Sequence, residues 1–413
     1  MVAFKRQGGY RLERNGGWED FGPRHGLDGW LLCAVLALLG SGLLMVYSSS
    51  SAMGVVSHRG NDLFYAKSQF VRAALGLGLL LALARLDPRH LSRRLAWLVW
   101  GVALLVLLVL VVPGGPGVQV RGATRWLPIG SSLVQPAEFA RVALIICLAG
   151  ILSNSRGRLD SWRGLAAPVG VVAGTAGLIA IQPHLSLAIL TGASGILLIF
   201  LAGGSIRKLA LIGAGGAAFA AVALRGYQEG RISSFVGRIQ GILDGSGADP
   251  SYQTAQSLLG IGSGGLTGLG LGRGMQKQFF TPDPHTDFIL SIVGEELGFL
   301  GLAFILCLSA WITARIFRVG RRSSSTFGEL LAYGIGLQFL LAILLHTAVC
   351  LGWAPTTGVP FPLVSFGGSA LIANLIGLGL VLSVSRRQGG RIETAEYRSN
   401  LLLSEPWKGR TAR

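Results

Sequence analysis

Apolar runs long enough to cross a lipid bilayer recur along this chain, and nothing else constrains its fold as strongly. A helical span needs about 20 mostly apolar residues. Candidates lie at roughly 29–49, 68–86, 94–113, 136–153, 164–182, 185–203, 208–225, 287–315, 327–351 and 367–385. Charge excludes a soluble fold, because only 13% of the residues are charged against roughly 25% in soluble domains. Inside lipid the chain itself must satisfy every backbone N–H and C=O, which a helix does within one segment. The predicted class is all-α, a polytopic membrane protein with about ten transmembrane helices.

The fifth and sixth runs meet at Gln182-Pro183-His184, a break short enough to be a kink in one longer helix. The basic residues decide for two spans. With the N-terminus in the cytoplasm, the inner segments take Lys5 to Arg24, Arg85 to Arg94, Arg156 to Arg163, Arg207-Lys208, Arg315 to Arg322 and the tail after residue 385. Together these hold 25 of the 36 Lys and Arg. The bias has the positive-inside sense at each loop, whereas nine spans would turn Arg315 to Arg322 outward. Both termini are then cytoplasmic. Residues 1–27 and 389–413 are tails, 28–388 is one membrane domain, and 226–286 is a long outer loop between the seventh and eighth spans. The first 27 residues are polar and no small-residue cleavage site follows, so no cleavable signal peptide is expected. The net charge of +17 sits in short clusters between apolar runs rather than in one stripe, which argues for topology and against nucleic acid. Cys33, Cys147, Cys307 and Cys350 fall inside apolar runs without a CxxC spacing, so they read as small buried hydrophobes and not as metal ligands.

This topology gathers five unusual segments on the outer face: Gly117–Trp126, Gln135–Arg141, Gly260–Lys277, Pro284–Asp287 and Pro355–Ser369. Polar and glycine-rich pieces converging from distant sequence are what a binding site needs. Glu138 and Arg141 are three apart, hence on one helix face, either as a structural ion pair or as a charged cavity wall. Asp287 opens the eighth span. It reads either as a helix N-cap or as a general base whose pKa partial burial would raise. Glu295 and Glu296 lie about 80° and 180° around the helix from Asp287, so they should face different surroundings, at least one of them structural. Gly294, Gly298 and Gly301 read as close-packing positions. The glycine run 260–274 lacks the Gly-Lys-Ser/Thr ending of a Walker loop. With Arg273 and Lys277 its backbone N–H groups could still cradle a phosphate.

Taken in order, several motifs resemble the SEDS family (shape, elongation, division and sporulation) of peptidoglycan polymerases related to FtsW and RodA. They are Arg125-Trp126, Gln135-Pro136-Ala137-Glu138, Tyr252-Gln253 with Ser263-Gly264-Gly265, His285-Thr286-Asp287-Phe288, Glu295-Glu296-Leu297-Gly298, Pro355-Thr356-Thr357-Gly358 and Ser365-Phe366-Gly367-Gly368-Ser369. The resemblance covers about 28–388. Met45 to Ser49 and Gln276-Lys277 look more like the division-type branch. It implies an inverting glycosyltransferase in the bacterial cytoplasmic membrane. Such an enzyme joins the acceptor's GlcNAc 4-hydroxyl to the MurNAc C1 of lipid II and releases undecaprenyl pyrophosphate. It further implies Asp287 as the catalytic base and a cavity lined by Glu138 and Arg141; the positive charge that a leaving pyrophosphate needs adds Arg125 and Lys277 as candidates, with Ser365 as a further cavity candidate. His285, Glu295 and Glu296 would support that cavity. The implied partners are a class B penicillin-binding protein transpeptidase and other divisome membrane proteins. No cofactor is identified, although a divalent cation is compatible with the chemistry. The chain departs from the family pattern at His184, where an Asp is usual, at His346, where an Asn is usual, and at Arg141, where a Lys is usual. The competing classes are a lipid flippase or proton-coupled carrier, with Asp287, Glu138 and Glu296 as a relay, and a non-catalytic scaffold for a transpeptidase.

Overall fold

The computed structural model describes residues 26–386, apart from 59, 89–90, 92, 113, 121–122, 131, 156–158, 224–251 and 279–284. Each of the ten predicted runs is a helix: α1 (Gly29–Ser57), α2 (Phe64–Arg85), α3 (Arg93–Val111), α4 (Pro136–Ser153), α5 (Trp162–Ile181), α6 (Leu185–Leu201), α7 (Ile206–Ala223), α9 (Ile289–Arg322), α10 (Thr326–Cys350) and α11 (Gly368–Ser385). Eight of them are long and apolar enough to cross a membrane, and α6 is a shorter apolar helix of 17 residues. The fifth and sixth runs are two helices, not one kinked helix. An eleventh helix, α8 (Tyr252–Ser263), lies inside the predicted outer loop. Residues 226–251 and 279–284 of that loop, and the tails apart from residues 26 and 27, lie outside the described residues.

The all-α expectation omits one feature. Residues between α3 and α4 form a three-stranded antiparallel meander, β1 (Val118–Val120), β2 (Ala123–Ile129) and β3 (Ser132–Val134). Val118 pairs with Trp126 and Leu127 with Val134. The segment is rich in β-branched residues, and Gly130 at φ +60° makes the second turn, so the strand preference is local.

α4 is the central helix. Every residue from Pro136 to Ser153 is buried except Phe139. An α-helix that is apolar on all sides belongs in the middle of a bundle, so any charge on it must find a partner there. The connection between α10 and α11 also plunges inward. Val359, Phe361, Leu363 and Val364 are all buried, and Gly42 in the middle of α1 leaves no space for a Cβ against the carbonyl of Leu363. At the other end of the bundle Asp28 caps α1 through the Leu31 N–H at 3.1 Å and accepts from Arg315 Nη2 at 2.5 Å. That tie joins the first helix to the end of α9. Cys147 and Cys350 are buried as expected, but Cys33 and Cys307 are exposed on the outer surfaces of their helices.

Candidate active site

Asp287 lies in a turn ahead of α9 and is partly exposed, whereas the residues that follow it, Phe288 to Val293, are buried. The N-cap of α9 is Phe288, with no side-chain cap bond, so Asp287 does not occupy the capping position. Its backbone is held from below, where Cys350 Sγ donates to Asp287 O at 3.8 Å. Two residues earlier, His285 O accepts the Phe366 N–H at 2.8 Å. The His285 ring packs 4.9 Å from Tyr65 and 5.3 Å from Phe366, and the Arg72 guanidinium stands 5.4 Å over Phe366. Ser365, expected in the cavity wall, is bonded within the protein. It is buried and fastens the inward loop, its Oγ accepting Phe361 N–H at 3.0 Å and its carbonyl accepting Gln69 Nε2 at 3.1 Å.

Glu138 and Arg141 meet as the spacing predicts, Nη1 to Oε2 at 2.9 Å, with side chains only 4% and 6% exposed. The Arg141 carbonyl accepts Gln338 Nε2 at 2.9 Å, and the Gln135 N–H reaches Ser369 Oγ at 2.8 Å. Thus α4, α10 and α11 are tied together around the pair. Arg125, on β2, donates its Nε to Gln182 O at 3.0 Å and its Nη2 to Pro183 O, so it clamps the α5–α6 connection. Burial first, and then the positive charges of Arg125 and Arg141, push the adjacent His184 from its ordinary 6.5 down to about 3. It stands neutral beside two cations. Because both members of the α4 pair are buried, Arg141→Ala should cost about 3–5 kcal/mol by leaving Glu138 unpaired, while Arg141→Lys keeps the charge and should be tolerated. Thermal melting and specific activity of the purified variants measure this. An Arg141→Ala protein as stable and active as wild type would show that the pair is dispensable.

The glycine-rich segment lies across a break in α9. Gly298 has φ +66° and ψ −165°, not helical values. In an unbroken helix the N–H groups of Phe299 and Leu300 would reach the carbonyls of Glu295 and Glu296. Here the loop supplies a partner for all four groups. Phe299 N–H donates to Gly265 O at 2.9 Å and Leu300 N–H to Leu266 O at 3.1 Å. Glu295 O accepts Leu269 N–H, and Glu296 O accepts Gly270 N–H, both at 3.0 Å. Gly294 and Gly298 do serve close approach, but to this loop. The wheel argument for Glu295 and Glu296 fails because Asp287 is outside the helix, and both carboxylates reach the same loop. Glu295 Oε1 accepts Met275 N–H at 2.7 Å. Glu296 Oε1 pairs with Lys277 Nζ at 2.6 Å, and its Oε2 accepts Ser48 Oγ–H at 2.5 Å. Lys277, expected to face the substrate, is buried in this pair.

A groove of about 480 Å³ opens between α1 and the loop, with Tyr47, Ser48, Leu271, Gly272, Lys277 and Gln278 among its walls. Among the described residues no three His, Cys, Asp or Glu side chains gather as a metal site. Sequence reading assigned no site role to Ser48, Gln69, Tyr65 and Arg72, Ser48 entering only within the Met45 to Ser49 motif. The first two carried a signal: a polar side chain inside an apolar span has to find a partner.

The chain matches the model of the cell cycle protein family FtsW/RodA/SpoVE over residues 29–389. It is 35% identical to a protein of Thioalkalivibrio sulfidiphilus named "Probable peptidoglycan glycosyltransferase FtsW", over 87% of this chain and 90% of the relative. It is also 35% identical to stage V sporulation protein E of Bacillus subtilis, over 86% and 96%. Among solved structures, a chain of a peptidoglycan synthase complex that coordinates polymerization and crosslinking aligns with a TM-score of 0.70 at 28% identity, over 87% of this chain and 98% of that one. The rod shape determining protein RodA of Thermus thermophilus aligns with a TM-score of 0.64 at 29% identity, over 88% and 99%. With its motif segments meeting at one end of a bundle of this fold, the chain belongs to the FtsW/RodA/SpoVE family.

Proposed function

We propose that this membrane protein is an inverting peptidoglycan glycosyltransferase that polymerises lipid II on the outer face of the bacterial cytoplasmic membrane, in cell division or a related shape process. The observation that carries this reading is the placement of Asp287. The residue is partly exposed in a turn whose backbone is pinned by His285, Phe366 and Cys350. In this reading Asp287 takes the proton of the acceptor 4-hydroxyl as that oxygen bonds to C1 of the donor MurNAc. The bond from C1 to the pyrophosphate breaks on the opposite face, and the electron pair leaves with undecaprenyl pyrophosphate. Arg125 is the proposed source of positive field for the leaving pyrophosphate, which matters most where charge develops in a water-poor site, while Arg141 is balanced by Glu138. Lys277, neutralised by Glu296, contributes little to it. Purified protein given lipid II should build glycan strands. Translocation of lipid II without strands would favour the carrier reading, and neither activity would favour the scaffold.

The carrier reading looks for broken helices in corresponding halves of the bundle. At the break in α9 the chain's own loop pairs the N–H groups of Phe299 and Leu300 and the carbonyls of Glu295 and Glu296. The partners in this proposal are a class B penicillin-binding protein transpeptidase and further divisome membrane proteins. Both termini are placed in the cytoplasm, because of the basic bias of the inner loops. Single cysteines at 240–250, in a chain without its native cysteines, should label from outside intact cells. Labelling only after permeabilisation would reverse the orientation.

A further inference from the structure

We infer that Lys277 is a positioning residue rather than a substrate ligand. With Glu296 and Ser48 it forms a buried latch that fixes the end of the glycine-rich loop, ten residues ahead of Asp287, against α1 and α9. The inference rests on the glycosyltransferase reading for its kinetic readout alone.

Three observations carry it. Lys277 Nζ lies 2.6 Å from Glu296 Oε1 and 3.3 Å from Ser48 Oγ, and Ser48 Oγ in turn donates to Glu296 Oε2. The ammonium, the carboxylate and the hydroxyl form a closed triangle. Lys277 is 6% exposed, Ser48 6% and Glu296 0%, so although Lys277 and Ser48 border the groove, the lysine's charge is balanced by a buried carboxylate.

The second observation is that the anchors of this segment converge on one stretch of α9. Gly265, Leu266, Leu269 and Gly270 bond to the backbone on either side of the Gly298 break. Met275 and Gln276 donate their N–H groups to the Glu295 carboxylate, and Lys277 follows onto Glu296. Gly274 fits between the two carboxylates only because it lacks a Cβ, which would stand 2.7 Å from Glu295 Oε2 and 3.1 Å from Glu296 Oε1. Among the described residues the latch is thus the side-chain anchor of this loop nearest in sequence to His285 and Asp287.

The third is α1. Its packing against the inward loop at Gly42 and its Ser48 hydroxyl on Glu296 make it a strut common to both sides of Asp287. One buried ion pair therefore links the first helix, the glycine-rich loop and the helix that begins beside the proposed base. A small displacement at a reacting group is costly in rate, which is how a residue that never touches substrate affects turnover.

Removing one partner of a buried pair leaves an uncompensated charge, whereas replacing both with apolar side chains of similar volume is often neutral. Lys277→Met should lower kcat by about tenfold or more per folded protein, with KM for lipid II changed by less than about threefold, and it should lower the melting temperature. The double variant Lys277→Met/Glu296→Met should regain both kcat and melting temperature. If Lys277 instead touches the substrate's pyrophosphate, the double variant stays as impaired as the single one, with any residual activity showing a raised KM, and the latch is overturned. An unimpaired Lys277→Met protein overturns it as well. Should the single variant not fold, the double decides: a folded, active double supports the latch, and a double that is inactive or unfolded sinks it. If wild type itself makes no glycan, the glycosyltransferase reading fails, and the melting pattern still tests the latch.

Discussion

Asp287→Asn should abolish glycan polymerisation while leaving the protein inserted, folded and as stable as wild type. The two side chains have the same shape, and the N-cap of α9 is Phe288, so the exchange removes charge and basicity without removing a helix cap. Asn cannot accept the proton of an acceptor hydroxyl. Losing a general base costs roughly 10²–10⁴-fold in rate, equivalent to about 3–5 kcal/mol of barrier at 1.36 kcal/mol per tenfold. A structural role at this partly exposed turn predicts a change well under that. Strand synthesis from lipid II, normalised to folded protein, separates the two. Activity within about threefold of wild type would remove Asp287 as the base and turn attention to Glu138, the buried carboxylate on α4.

The second large effect is expected at Gly298. Its φ of +66° and ψ of −165° fall in a region essentially confined to glycine, where another residue costs about 1–3 kcal/mol. A Cβ there would also stand 2.6 Å from Leu266 C and O and closer still to Gly268 N. These are backbone atoms that cannot swing aside. Moving the loop away would give up four backbone hydrogen bonds, at about 1 kcal/mol each. Gly298→Ala should therefore cost roughly 4 kcal/mol or more, seen as a large fall in melting temperature together with lost activity. Gly262 is the control. It lies in α8 with nothing within 4 Å of a Cβ, so Gly262→Ala should be neutral or slightly stabilising, since alanine favours a helix by about 1 kcal/mol over glycine. Equal melting temperatures for the two variants would mean that the loop does not splint the break.

The helices were legible because lipid imposes a length and a composition on every span, and all ten predicted runs are helices. The Glu138–Arg141 pair was legible because three residues apart on a helix is a contact rule. What could not be read depended on partners distant in sequence. Lys277 looks like a free cation until Glu296 and Ser48, 19 and 229 residues away, are placed on it. Ser365 looks like a site hydroxyl until the inward loop folds it onto Phe361 and Gln69. Gly298 reads as a packing glycine by spacing alone, because nothing local shows that a loop thirty residues upstream will cross it. The strands of the meander were hidden by their brevity.

The most direct test of the account is a time course in liposomes holding the purified protein, alone and with its co-purified transpeptidase, supplied with lipid II. New glycosidic bonds and released undecaprenyl pyrophosphate are followed together. The account predicts that strands grow with one pyrophosphate released per bond, and that both stop in the Asp287→Asn protein. Lipid II crossing the bilayer with neither bonds nor pyrophosphate formed, in both preparations, would contradict it.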